Sequence, residues 1–114
     1  MKFIQKIEED GIKCFVAEKE GKFVHYFMVF TNALESPLTK TPFNNNKIMQ
    51  DDIYLGNAFT VPHERGFLIL PSVLKEIFKF FKKNFKSKKR ALLLVHKDTS
   101  GAEKFFSILG FKKI

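Results

Sequence analysis

The sequence has no tryptophan, one cysteine, 4 prolines and 6 glycines in 114 residues. A lone thiol, Cys14, cannot close an internal disulfide or found a multi-cysteine metal site. That usage suits a reducing compartment such as the cytoplasm. No apolar run approaches the ~20 residues of a membrane-spanning helix. The opening Met1-Lys2-Phe3-Ile4-Gln5-Lys6 meets Glu8-Glu9-Asp10 before a signal-peptide core can form. A soluble cytoplasmic protein with no membrane contact is expected. His25 and His96 are too scattered for a metal site, and both are expected at the surface or half-buried. What abounds is phenylalanine, 15 residues of it, within 45% hydrophobic and 28% charged residues. That balance describes one folded domain over residues 1–114, with an aromatic core to which Cys14 is assigned.

Charge is unevenly placed. Residues 1–57 hold 7 Lys/Arg against 8 Asp/Glu, while residues 58–114 hold 13 against 4. So basic a second half calls for a polyanionic partner or is a solvated face. Nucleic acid, anionic lipid and a phosphate-rich cofactor all qualify, and composition does not choose.

Along the chain, Ile12 to Val16 and Phe23 to Phe30 are β-rich runs around Gly21, which predicts a hairpin over residues 12–30. Residues 31–50, with Asn32, Ser36, Pro37, Pro42 and Asn44-Asn45-Asn46, read as a long loop, either a lid or a mobile surface excursion. Ile53 to Val61 predicts a strand with a bulge at Gly56-Asn57. A helix follows from Ile69 or Pro71 to Asn84. Its apolar face is Val73, Leu74, Ile77, Phe78, Phe81 and Phe85, and Pro71 is tolerated in its first turn. Ala91 to Val95 predicts a strand buried on both faces. Ser100 caps a short helix from Gly101 to Leu109, Gly110 ends it in left-handed backbone, and Phe111 to Ile114 forms a last strand. The order predicts an α/β fold in which a crossover helix joins two parallel strands of a mixed sheet.

The junction Val61-Pro62-His63-Glu64-Arg65-Gly66-Phe67-Leu68-Ile69-Leu70-Pro71 runs from strand through a tight loop to a helix N-terminus. The first amides of a helix lack intrahelical partners and carry partial positive charge, so they form an anion site. Pro62, Arg65 and Gly66 stand in register with the pattern Pro-x-x-Arg-Gly-x-Gly, and Pro71 matches a Gly-Leu-Tyr-Pro-like variant of it. Downstream, Thr99, Ala102, Phe105-Phe106 and Leu109-Gly110-Phe111 stand at the intervals of an Asn-x-x-Ala, aromatic-pair, Leu-Gly-Phe run. With both motifs the sequence resembles the GNAT superfamily of acyltransferases, over residues 51–114 as an acyl-coenzyme-A-binding core.

The resemblance implies a GNAT-like mixed sheet with two helices. It also implies transfer of an acyl group, acetyl first, from acetyl-CoA or another acyl-CoA to a primary amine. Phe59, Thr60 and Val61 would offer main-chain groups to the pantetheine arm, admitted by a splay between the family's fourth and fifth strands. Arg65, Gly66, Phe67, Leu68, Ile69 and Leu70 would offer amides to the pyrophosphate. Thr99 and Phe106 would sit near the thiol end, and Lys97 or Lys104 would pair with the 3′-phosphate. Three positions depart from the family. Leu68 replaces the second loop glycine, Thr99 the asparagine, and Phe106 the tyrosine that often protonates the departing thiolate. The chain also starts too late for the family's first two helices, which shape the acceptor pocket. Either the 31–50 loop or a second subunit in a homodimer replaces them, or there is no acceptor.

Candidate catalytic groups are few. His63 and Glu64 flank the loop as bases for an amine or as a solvated pair. Asp51 and Asp52 point to opposite faces of a strand, so at most one serves as a base. Residues 79–90 crowd seven basic residues among aromatics, as a nucleic-acid surface or a solvated helix end. A binding protein that has lost catalysis is the remaining alternative.

Overall fold

Glu20 (φ 55) and Gly21 (φ 77) both take left-handed backbone, the conformation a two-residue hairpin turn requires. In this computed structural model they join β2 (Ile12–Lys19) to β3 (Lys22–Phe30). The structure describes residues 2–9, 11–66, 69–95 and 101–114, with residues 3–9 described through their backbone. The remaining elements are β1 (Lys2–Glu9), β4 (Asp52–Thr60), α1 (Ile69–Asn84), β5 (Arg90–Leu93) and α2 (Ala102–Ile108).

The sheet has the order β1-β2-β3-β4-β5. β1 to β4 pair antiparallel in succession, and β4 and β5 pair parallel through the α1 crossover, as the sequence predicts. Strand β1 escapes the sequence reading because Lys2, Lys6, Glu8 and Glu9 break its apolar run. Charge of this kind suits an edge strand, where it discourages pairing with another chain. Only Asp10 and Gly11 separate β1 from β2 in the sequence.

Helix α1 lays Ile69, Val73, Leu74, Ile77 and Phe81 on one sheet face, against Phe15, Ala17, Val24, Phe27, Val29, Ile53 and Leu55. Burying such side chains stabilises by about 1.5–3 kcal/mol each. Phe80 and Phe85 pack on the same core, whereas Phe78, assigned by periodicity to the apolar face, is 40% exposed. It lies at the margin of the stripe, touched by Phe111 at 6.3 Å between ring centroids.

The opposite sheet face is partly covered by residues 31–50, which are built of short turns instead of structureless chain. Three 3₁₀ turns, Ala33–Glu35, Pro37–Lys40 and Asn45–Lys47, are each opened by a side-chain acceptor, from Asn32, Ser36 and Asn44. Ala33, Leu38 and Ile48 then form a second small core with Leu92 of β5. Periodicity cannot reveal this segment, because capped single turns have no period to read.

Two further expectations need correction. β5 covers Arg90–Leu93 as an edge strand, with only Leu92 fully buried and Leu94 exposed. Its two faces do meet apolar layers, Ala91 and Leu93 the α1 core and Leu92 the second core. Residues 111–114 form no strand. Gly110 (φ 100) closes α2 with its N–H on the Ser107 carbonyl, while the Phe111 N–H reaches the Phe106 carbonyl. This is the Schellman arrangement, and its usual hydrophobic contact folds Phe111 back onto Phe106, 5.6 Å away. The chain is thus turned onto the helices instead of entering the sheet. The predicted cap Ser100 and the position His96 lie outside the described residues.

Candidate functional site

The parallel ladder between β4 and β5 runs from Asp52↔Arg90 to Leu55↔Leu93 and stops there. β4 continues to Thr60 with β3 alone on its flank. The break coincides with an irregularity in the β3–β4 pairing: Val29 faces Leu55 and Phe27 faces Ala58, so β4 carries one extra residue between them. That residue lies at Gly56-Asn57, where the sequence places a bulge, and a bulge bends its strand. Glycine is required there for space. A Cβ at Gly56 would come within 2.6 Å of the Phe30 ring and 3.3 Å of the Met28 carbonyl oxygen. Because β5 ends at Leu93, residues 56–60 of β4 have no strand partner on the β5 side among the described residues.

The chain leaves β4 through Val61, whose N–H donates to the Val24 carbonyl at 2.9 Å. A 3₁₀ turn follows over Pro62–Glu64. Arg65 folds back over the strand end: its Nε donates to the Thr60 carbonyl at 2.8 Å, and its guanidinium lies 5.3 Å from the Phe59 ring centroid. Such a cation–ring contact is worth about 0.5–1 kcal/mol at an exposed site. The arginine, itself exposed, therefore braces the strand-to-loop corner. Gly66 takes φ 87, and a Cβ there would meet nothing within 4 Å. Left-handed backbone, rather than close packing within the protein, demands glycine at this position.

α1 starts at Ile69, with Pro71 in its first turn. Ile69 is buried in the core and Leu70 half-buried against it. Their side chains anchor the helix start, while first-turn amides have no intrahelical acceptor and present partial positive charge. The Arg65 amide is already used, on the Pro62 carbonyl at 3.3 Å. Of the expected amide donors, Gly66, Ile69 and Leu70 stand at this corner, and Phe67 and Leu68 lie outside the described residues.

The other expected site residues divide. Phe59 is exposed and stacks on Tyr26 at 5.9 Å, beside the loop. Thr60 and Val61 lead directly into it, although the Thr60 carbonyl already accepts from Arg65. His63 is exposed on the turn, and Glu64 holds Lys19 at 3.4 Å. Lys97 and Thr99 lie outside the described residues. Lys104 is exposed on α2. Phe106 is half-buried against the main core, its ring set edge-on to Phe105 at 5.2 Å and to Phe111.

Asp52 is no catalytic base. It lies 1% exposed at the opposite end of β4, receives Nε and Nη2 of Arg90 at 2.9 and 2.7 Å, and accepts the Met49 N–H at 2.7 Å. Arg90 also donates to the Lys47 carbonyl at 2.7 Å. The bond to Asp52 pushes the guanidinium still higher than its usual range. The carboxylate is spent on tying β5 and the end of the 31–50 segment to β4, and its partner Asp51 is exposed.

His25, expected at or near the surface, is 1% exposed. It pairs with Thr60 across β3 and β4, and its Nδ1 lies 2.7 Å from the Thr60 hydroxyl. Its Nε2 is buried with no partner among the described residues. Burial lowers its pKa from 6.5 to about 4, leaving a neutral ring at pH 7. Strict alternation could have found it, since His25, Phe27 and Val29 occupy one face. The β2–β3 irregularity, which inserts Val24 beside it, hides that pattern.

Solved structures with this chain arrangement are acetyltransferases in several instances. An aminoglycoside N-acetyltransferase, AAC(6')-Iy in complex with CoA, superposes with a TM-score of 0.70 at 13% identity, over 93% of this chain and 72% of that one. A ribosomal-protein-alanine N-acetyltransferase from Brucella melitensis biovar Abortus 2308 gives 0.64 at 10% identity, over 93% and 67%. A transcriptional regulator from Bacillus halodurans C-125 gives 0.67 at 17% identity, over 92% and 62%. Across the first such structures this chain spans from 58% to 72% of their length. No family model and no curated protein matches the sequence. At such identities the likeness is one of fold.

Proposed function

We propose, on the premise that this chain has the fold of the GNAT acetyltransferases, that it binds acyl-coenzyme A and transfers the acyl group, acetyl first, to a primary amine. The observation that carries the reading is the open side of β4: among the described residues its pairing with β5 ends at Leu55 and Leu93, where β5 itself ends, while β4 bends at Gly56-Asn57 and runs on to Thr60. A thioester arm fits there by adding main-chain hydrogen bonds to an open strand side. The residues present suit the coenzyme at this corner. Phe59, Thr60 and Val61 lie at this open side, and Gly66 with the first turn of α1 supplies amides where a pyrophosphate would lie. The coenzyme supplies an activated acyl group as its thioester.

In the transfer, the amine nitrogen forms a bond to the acyl carbon, the carbon–sulfur bond breaks, and the thiolate departs. The amine loses one proton, for which Glu64 and His63 are the two acceptors in the loop. The thiolate gains one, which Phe106 does not provide. Loss of a general acid slows such chemistry by roughly 10²- to 10⁴-fold. Phe106 also favours a second reading, binding without turnover, because its ring is built into the helix packing.

Calorimetry with acetyl-CoA tests the binding half. A sub-millimolar Kd, weakened at least tenfold by Gly66→Val, is the expected result; no binding below millimolar removes both readings. Thiol release across a panel of primary amines then separates transfer from binding alone.

A further inference from the structure

The end of the sheet remote from the Arg65 corner carries a groove that the acyltransferase reading leaves unused. It has a volume of ≈590 Å³, with a floor of Ile53, Phe78, Phe81 and Ala91. Its rim carries Lys82, Lys86, Lys88 and Lys89 together with Arg90. Arg90 is neutralised by Asp52. The four lysines have no carboxylate within ion-pair distance among the described residues. Lys82 lies in the last turn of α1, where the helix dipole favours a cation. Lys86, Lys88 and Lys89 lie beyond the helix, so the dipole does not account for them. Their turn is held in place by the Lys88 N–H on the Phe85 carbonyl at 2.9 Å and the Lys89 N–H on the Asp51 carbonyl at 3.1 Å.

We propose that this groove binds single-stranded nucleic acid, with lysines on successive phosphates and the exposed ring of Phe78 under a base. Its volume is that of a small-ligand cleft, about 300–1,000 Å³. That admits one or two nucleotide units and not a duplex. Four cations without an ion-pair partner among the described residues favour a polyanion. A ring 40% exposed among them favours bases over carboxylates, since every base offers a face to stack and an acidic peptide does not. Of the other aromatics near this end, Phe81 is buried beneath the groove, and Phe80 and Phe85 pack on the core.

Fluorescence anisotropy of the full chain with a labelled twelve-nucleotide oligo-U tests the proposal. Binding is expected at 50 mM KCl. It should weaken with salt along a log–log slope of about −2, the value for three phosphate contacts on a single strand. K82E/K86E/K89E should reduce affinity at least ~30-fold, and Phe78→Ala ~5-fold or more, the low end of one base–aromatic stack. K75E/K79E, on the same helix but outside the groove, serves as a charge-reversal control and should have less than two-thirds of that effect on a logarithmic scale. Retained acetyl-CoA binding and an unchanged thermal midpoint in each variant exclude misfolding, and the coenzyme arm reports on the acyltransferase reading separately. Absence of binding at 50 mM KCl overturns the proposal, as does binding indifferent to the lysine reversals. Competition by polyglutamate as strong as by oligo-U assigns the groove to acidic peptide instead and overturns it too.

Discussion

The two ends of the β4–β5 pair are built on opposite principles. Where both strands begin, a buried carboxylate, a guanidinium and two main-chain groups close the sheet with four short hydrogen bonds around Asp52 and Arg90. Where β4 ends, it has no partner on the β5 side among the described residues, a glycine bulge bends the strand, and a neutral histidine sits inside with one nitrogen unpartnered among those residues. One end ties the two strands together; at the other, β4 runs on past the end of β5. The contrast explains how a small sheet tolerates an open strand side, because the polar clasp at the far end sets the spacing of the two strands without help from the near end.

The clasp should show the largest effect when broken. Arg90→Ala strands the Asp52 charge in the interior, and removing one partner of a buried pair costs ~3–5 kcal/mol. Arg90 is itself 34% exposed, so a loss of about 3 kcal/mol is expected in urea unfolding. A loss under about 1 kcal/mol would show that the clasp does not hold the strands.

The near end should be the pH-sensitive one. His25 has its pKa lowered to about 4 when folded against 6.5 when unfolded. As pH falls from 6.5 toward 4, the unfolded chain takes up a proton that the folded chain refuses. Stability is therefore full above 6.5 and declines by about 1.4 kcal/mol per pH unit within that window, about 3 kcal/mol in all. His25→Gln should remove this part of the slope whatever its fixed cost, read from unfolding curves at pH 7, 6, 5 and 4.5. Equal slopes in both proteins would place His25 in water.

The bulge should respond next. Gly56→Ala forces a methyl group against the Phe30 ring and the Met28 carbonyl, and overpacking of this kind costs about 1–3 kcal/mol. The same variant should lower acetyl-CoA affinity by straightening β4, whereas Arg90→Ala should leave affinity much less changed in whatever fraction stays folded. The smallest effect belongs to the β2–β3 turn, remote from both ends. Glu20 adopts φ 55, a conformation asparagine tolerates better. Glu20→Asn should stabilise by about 0.5 kcal/mol in thermal unfolding.

The parts legible in the sequence are those where local chemistry decides structure. Gly21 placed the hairpin, Gly56-Asn57 the bulge, the three- and four-residue spacing from Val73 to Phe81 helix α1, and Gly110 the stop of α2. The strand–loop–helix corner around Arg65 followed from the same reading. Long-range pairing remained invisible. Nothing near Asp52 announces Arg90, thirty-eight positions away, so the aspartate was a candidate base instead of a clasp. His25 was misplaced because a bulge in the adjoining ladder broke the alternation that exposes a buried polar residue. Residues 31–50 looked structureless because their order rests on Asn32, Ser36 and Asn44 caps and a few buried side chains. Phe111 read as a strand start because β-propensity ignores the helix end that captures it.

The most direct measurement is the map of backbone amide shifts in ¹⁵N spectra on titration with acetyl-CoA. Saturable changes confined to residues 56–66 and the first turn of α1, with residues 51–53 and 88–91 unmoved, are predicted. Shifts centred on Lys86 to Arg90 and absent around Gly66, or none at all, would contradict a coenzyme site at the open end of β4.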